Sequence, residues 1–242
     1  CLVGSEMCIR DRLTADLAID RLLADHEIFP DMVAGHSLGE YAALMVSGIL
    51  SFRDAMSAAA ARGTEMGSVE VPDKGLMAAV GAPASKVEEA LRSVDGYVIA
   101  ANRNSPVSTV IAGETDAVQS AIHILSDLGA TVIPLQTSHA FHTDIVSPAN
   151  APLRRFLESI DISLPTLPVT ANVDGSFYPM HSDNPRESIL EKLAPPMSSP
   201  VTWIDQVETM YGAGARIFLE VGPKRALSST VAAILGLSLI HI

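Results

Sequence analysis

Met32-Val33-Ala34-Gly35-His36-Ser37-Leu38-Gly39-Glu40 joins an apolar triplet to G-x-S-x-G and then to a helix-forming stretch that runs on to Val46. A short strand, a tight turn and a helix in that order is the setting a nucleophile elbow requires. The glycines let the chain turn sharply and approach closely, so that the Ser37 hydroxyl stands exposed. The Leu38 N–H, near a helix N-terminus, would then face a developing oxyanion. G-x-S-x-G by itself also fits a solvated turn serine, and it is the flanking elements that favour catalysis.

On the N-terminal side, Leu17, Leu22 and Leu23, with Thr14 as N-cap, predict a helix ending before Phe29-Pro30. Ser51-Phe52-Arg53-Asp54 opens an alanine-rich helix that reaches Met66. The pattern changes at Leu76. Strands are expected at 76–81, 97–101, 108–112 and 131–135, with helices at 84–93 and 115–128, which is a βαββαβ order of ferredoxin-like type. A helix carrying Ile145, Leu153, Phe156, Leu157 and Ile160 follows, then a strand at 167–172, a helix at 203–211 and a last buried strand, Arg216 to Val221. The expected fold is therefore α/β, with a hydrolase-like large subdomain (13–73 and 139–236) interrupted by a small ferredoxin-like one (74–138).

The two ends fit this scheme poorly. Cys1 to Arg12 lacks helical or strand periodicity and the order of a signal peptide. It resembles translated sequencing-adapter read-through, as does Leu237 to Ile242. Both are expected to lie outside the fold. The only two cysteines, Cys1 and Cys8, fall in the first of these segments, so no disulfide framework is expected. Sixteen basic against 28 acidic residues give a net charge of −12, the wrong sign for a nucleic-acid or anionic-membrane surface. No apolar run is long enough for a transmembrane helix. A cytoplasmic location is expected.

A nucleophilic serine needs a base. His123 falls in mid-helix, His181 in a polar loop and His26 before a turn. His36 flanks Ser37, but its side chain should point away from it. The remaining pair, His139 and His142, lies in Ser138-His139-Ala140-Phe141-His142, where a helix N-terminus would favour the neutral imidazole of a general base. Surface decoration is the competing reading of such a pair. Arg62 shares a stripe with Ala55, Ala58, Ala59 and Met66 that should face inward, where a guanidinium needs a carboxylate from the protein or from a substrate.

Together these residues resemble the malonyl-CoA:acyl-carrier-protein transacylases and the acyltransferase domains of polyketide and polyunsaturated-fatty-acid synthases. Gly35 to Tyr41 is similar to that family's nucleophile motif, and Glu220-Val221-Gly222-Pro223 to its EVGP strand end. The resemblance implies Ser37 as nucleophile, His142 as base, Leu38 N–H as an oxyanion donor and Arg62 as the fork that binds the acyl carboxylate. His139-Ala140-Phe141-His142 looks like a malonyl signature, which adds His36, His139 and Phe141 to the specificity pocket. It implies no bound cofactor and no metal. The substrate is a CoA thioester, malonyl-CoA, and the acceptor is the phosphopantetheine thiol of an acyl carrier protein. Free-standing enzyme and domain of a multidomain synthase both stay open. Arg154-Arg155 and Lys224-Arg225 are candidate docking patches.

The sequence departs from that family twice. Its opening strand and Gly-Gln-Gly loop have no counterpart, so a truncated copy of weak or no activity is expected. Pro196 stands where the family commonly has a glutamine whose main-chain carbonyl orients the imidazole. Two alternatives follow: a serine thioesterase or esterase of α/β-hydrolase type, with Asp174 as its acid, or an inactive acyltransferase acting as a binding module.

Overall fold

The structure, a computed structural model, describes residues 6–194, 198–223 and 225–236. The chain enters as helix α1 (Glu6–Asp25). Ile9, Leu13 and Leu17 recur at i, i+4 and i+8 and are all buried, forming a stripe that packs against α3 (Phe52–Gly67). Gly63 of α3 makes room for this contact, since a Cβ there would stand 2.4 Å from Ile9 Cδ1. Residues 6–12 are thus part of the helix, contrary to the expectation that they lie outside the fold, and Thr14 is an interior residue, not a cap. The apolar spacing that decides this begins at Ile9, inside the segment set aside.

The helix α2 (Glu40–Val46) follows a 3₁₀ turn over Ser37–Gly39. At the start of α3, Ser51 Oγ accepts the Asp54 N–H at 3.1 Å and donates to the Asp54 carboxylate at 2.6 Å. The alanine stripe does face inward: Ala55, Ala58, Ala59, Arg62 and Met66 are all buried. With alanine on that face, α3 lies close to its neighbours, α1 on one side and α6 (Asn150–Leu157) on the other. The same core takes in Leu44, Ile49, Leu153, Leu157, Val169 and Tyr178, together with Ile189, Leu190 and Leu193 of α7 (Pro185–Leu193).

Residues 76–135 form β1 (Leu76–Val80), α4 (Ala84–Leu91), β2 (Val98–Ser105), β3 (Ser108–Gly113), α5 (Thr115–Asp127) and β4 (Val132–Leu135). The strands make one antiparallel sheet in the order β2-β3-β1-β4. Side-chain alternation along β1 divides its two faces. Ala78 and Val80 pack under Val87 of α4 and Val118, Ala121 and Leu125 of α5. Met77 turns the other way, with Ala101, Val110 and Ala112, toward Ala140 and Phe141. Asp73 ties this unit down: its carboxylate accepts the Gly75 N–H at 2.8 Å and the Thr115 N–H at 2.7 Å and hydroxyl at 2.6 Å.

The strands expected around the elbow are reduced. Val33 makes a parallel bridge to Val169, with its N–H on Pro168 O at 2.9 Å and its carbonyl taking the Thr170 N–H at 3.2 Å. The expected buried strand Arg216–Val221 forms no strand and has no ladder partner among the described residues, and Ile217 is 92% exposed. Its apolar character was legible, but strand formation needs a neighbouring backbone. The chain closes with α8 (Trp203–Gly212) and α9 (Ala226–Leu235). Glu220 caps α9, accepting the Leu227 and Ser228 N–H groups at 2.9 and 2.7 Å. Among the described residues, no helix is long and apolar enough to cross a membrane.

Candidate active site

The elbow is built as its glycines require. A Cβ on Gly35 would stand 2.1 Å from the Gly39 carbonyl oxygen, so only glycine fits there. Ser37 takes φ of +54°, the left-handed region that costs a non-glycine residue about 1–3 kcal/mol unless its surroundings hold it. His142 is likewise left-handed, at +63°. Both polar ends of the Asn172 side chain grip the turn: Oδ1 accepts the Ser37 N–H at 2.8 Å and Nδ2 donates to Gly35 O at 2.7 Å.

Ser37 Oγ lies 3.0 Å from His142 Nε2 and accepts a hydrogen bond from Arg62 Nη2 at 3.1 Å. His142 Nδ1 lies 3.1 Å from the Ser199 carbonyl. A carbonyl only accepts, so Nδ1 carries the proton and Nε2 keeps the lone pair that faces the serine hydroxyl. That tautomer is the one a general base needs. The carbonyl role expected of Pro196 falls outside the described residues; among those described, the carbonyl on the imidazole is that of Ser199.

Arg62 is 6% exposed, and no carboxylate lies within ion-pairing distance of it among the described residues. Its nearest companions are Ser37 Oγ and the Tyr41 ring, whose centroid is 5.9 Å away. A buried guanidinium without an anion is a standing demand for one. Burial pushes the Tyr41 hydroxyl up to about 12, so it stays neutral. Burial likewise raises the Glu40 carboxyl, against the hydrogen bonds it accepts from the Asn172 N–H and the Tyr178 hydroxyl and the pull of Arg62.

Ser37, Arg62, Phe141 and His142 line one cleft of about 1480 Å³, which continues between α1 and residues 216–221. His36 also lines it. Its Nε2 meets Asn104 Oδ1 at 2.8 Å, and its ring stands edge-on to Trp203, 5.6 Å between centroids. Burial lowers its pKa, which keeps the ring neutral. His139 lies behind the cleft wall: it is 1% exposed, with Nε2 on the Val69 carbonyl at 3.0 Å and its ring 6.2 Å from that of Phe141, which lines the cleft. Asp174 makes its contacts with Lys192 and Ser176, so the acid a thioesterase triad would use is engaged elsewhere. Arg154 is spent on Glu158 and Glu187, which weakens one candidate docking patch; Lys224, of the other, lies outside the described residues. No cluster of three or more His, Cys, Asp or Glu side chains suited to a metal occurs among the described residues.

The acyl transferase domain family matches residues 18–235, most of the chain. The chain belongs to the acyl transferase domain family. Within that family it is 34% identical over 224 residues to the malonyl CoA-acyl carrier protein transacylase of Bacillus subtilis, covering 90% of this chain and 69% of that one. It is also 34% identical over 224 residues to a polyunsaturated fatty acid synthase protein of Thraustochytrium, covering 90% of this chain but 8% of that long protein. The crystal structure of MCAT from Streptococcus pneumoniae superposes with a TM-score of 0.86 at 36% identity, over 96% of this chain and 75% of that one.

In this acyl transferase domain, three site residues escaped the reading of the sequence, and a fourth, Glu40, was given no role there. Asn172 and Ser199 hold the Ser37 turn and the His142 imidazole, while Glu40 and Asn104 hold Asn172 and His36. Glu40 was visible within the nucleophile motif. Nothing local marks the other three, because their partners are 57 or more residues away.

Proposed function

We propose that this domain moves a malonyl group from malonyl-CoA to the phosphopantetheine thiol of an acyl carrier protein, through an ester on Ser37. The reading takes a hydrolase-like large unit (13–73 and 139–236) to carry the reaction and the small unit (74–138) to cover the site. The observation that carries it is Arg62: a buried cation without a carboxylate, directed at the same Ser37 oxygen that faces the base. A serine hydrolase of simple esters has no use for that charge. A substrate ending in a carboxylate does.

His142 Nε2 takes the Ser37 hydroxyl proton as Oγ attacks the thioester carbonyl. The tetrahedral oxyanion forms beside the elbow, where the Leu38 N–H is a donor. Collapse breaks the C–S bond, and the CoA thiolate leaves with the proton from His142. The carrier thiol then gives its proton to His142 and attacks the Ser37 ester, and the proton returns to Ser37 Oγ as that bond breaks. Arg62 binds the malonyl carboxylate as a two-pronged donor and disfavours acetyl groups, which leave its charge unpaired. Phe141 narrows the cleft against an α-methyl branch.

Incubation with malonyl-CoA followed by mass spectrometry of the Ser37 peptide tests the reading. A malonyl ester that an acyl carrier protein discharges is expected. Rapid hydrolysis without transfer would indicate a thioesterase, and absence of any adduct a binding module.

A further inference from the structure

The segment from Ser199 to Trp203 touches His142, Asn172 and His36 in turn. Ser199 O meets the His142 imidazole, and the Trp203 ring stands against His36. Between them, Val201 joins the outer edge of β2, its N–H on Ala101 O at 2.9 Å and its carbonyl taking the Arg103 N–H at 3.1 Å. Thr202 gives both its N–H and its hydroxyl to the Asn172 carbonyl, each at 3.0 Å. Asn172, 1% exposed, is therefore held on three sides: by Thr202 at its carbonyl, by Glu40 at its N–H, and by the elbow at its side chain.

That arrangement answers a physical need. A serine in the left-handed region reverts to ordinary backbone angles unless something over-determines it. Asn172 does so by spanning the turn, one atom on the N–H of Ser37 and one on the carbonyl of Gly35, two residues earlier. The amide is unambiguous in orientation, because an N–H must meet Oδ1 and a carbonyl must meet Nδ2. Because the Ser37 N–H is spent on Asn172, the elbow donor left for an oxyanion is the Leu38 N–H.

We infer that Asn172 is a positioning residue which locks Ser37 in its strained conformation and, through Thr202, keeps the nucleophile in register with the loop that orients His142. The inference rests on reading Ser37 as the nucleophile. It assigns no contact between Asn172 and substrate, so its loss acts on the rate of acylation and spares substrate binding.

The test uses the full chain as wild type, Asn172→Ala, Thr202→Val, Ser37→Ala and Asp174→Ala. Acylation of Ser37 is timed by intact mass with malonyl-CoA and, separately, with a small fluorophosphonate that needs no CoA site. Exchange of the Ser37 amide hydrogen is followed in parallel. Asn172→Ala is expected to slow acylation at saturating malonyl-CoA by about 10- to 100-fold, as a misplaced reacting group does, with KM changed by less than about threefold. The fluorophosphonate rate should fall in step, and the Ser37 amide should exchange faster. Thr202→Val, which removes only the hydroxyl bond, should move both readouts the same way by less. Asp174→Ala, two residues from Asn172 but outside the network, should match wild type.

A folded Asn172→Ala that acylates at the wild-type rate, or whose defect is confined to KM, overturns the inference. If Asn172→Ala does not fold, Thr202→Val decides, and wild-type rates with unchanged Ser37 exchange in that variant overturn it. Malonyl loading that persists in Ser37→Ala overturns the nucleophile reading instead. A wild type labelled at Ser37 by fluorophosphonate but not by malonyl-CoA rejects the proposed substrate and leaves the inference to the fluorophosphonate rates. A Ser37 inert to both reagents overturns both.

Discussion

At the scale of the residue, Arg62 is the charge around which the proposed chemistry is organised. Its guanidinium is desolvated, touches Ser37 Oγ and the Tyr41 ring, and has no carboxylate within ion-pairing distance among the described residues. Such a group destabilises the empty fold and is kept for what it binds. Arg62→Leu is therefore expected to leave the melting temperature unchanged or raise it. The same variant should lower kcat/KM for malonyl-CoA by about 10- to 100-fold, the worth of a hydrogen bond to a charged group, while acetyl-CoA is hardly affected. A thermal melt and two kcat/KM values decide the matter. A destabilised Arg62→Leu that treats both substrates alike would make the arginine structural. The stripe that turns Arg62 inward was readable from spacing alone. That its partner is Ser37 and not an acid was not, because the two residues come from different elements.

At the scale of the element, α1 shows how a segment without obvious periodicity acquires it from its neighbour. Ile9 gains its place because Gly63 leaves a gap on α3, a fact invisible in residues 1–12 themselves. Ile9→Ala is expected to cost about 2 kcal/mol, the low end for emptying a buried isoleucine site, and chemical denaturation measures it. No change in stability would mean that the first turns of α1 do not contribute to the core. The opposite lesson comes from residues 216–221, whose apolar run promised a buried strand. Glu220 in that run is committed instead to the start of α9, and Ile217 and Leu219 remain exposed. Hydrophobicity specifies a wish to be covered; only a backbone alongside makes a strand.

At the scale of the molecule, Ser37, Arg62 and His142 all lie outside the β2-β3-β1-β4 unit, which reaches the cleft through Asn104 on His36. Asp73 fixes the entry to that unit. Hydrogen bonds from the Thr115 hydroxyl and N–H and from the Gly75 N–H hold its carboxyl below the usual range, outweighing a small burial effect. A carboxyl lowered by folding stabilises the fold above its ordinary pKa near 4, and that contribution is lost as pH falls through the ordinary value toward the folded one. The difference in melting temperature between wild type and Asp73→Ala should therefore be full at neutral pH and shrink on acidification below about pH 4. A difference that stays constant with pH would show that the carboxylate does not hold the unit.

Much of this protein could be read before any coordinate. The small unit's strands and helices were legible because each satisfies its own period, alternate residues in β1 and three-and-four spacing in α5, although only β2 and β3 pair with a strand next to them in sequence. Ser37 was legible because glycine is obligatory at Gly35 for a reason of local geometry. Local pattern sufficed for the α/β class, the turn that presents Ser37, the inward face of α3 and the loop that carries His142. Only folding brings out that His139 is spent on Val69, that Ser199 orients the imidazole and that Asn172 holds the elbow. The reason is range: periodicity and turn chemistry act over a few residues, whereas a hydrogen bond between residues 135 apart leaves no pattern in the chain until folding brings them within 2.8 Å.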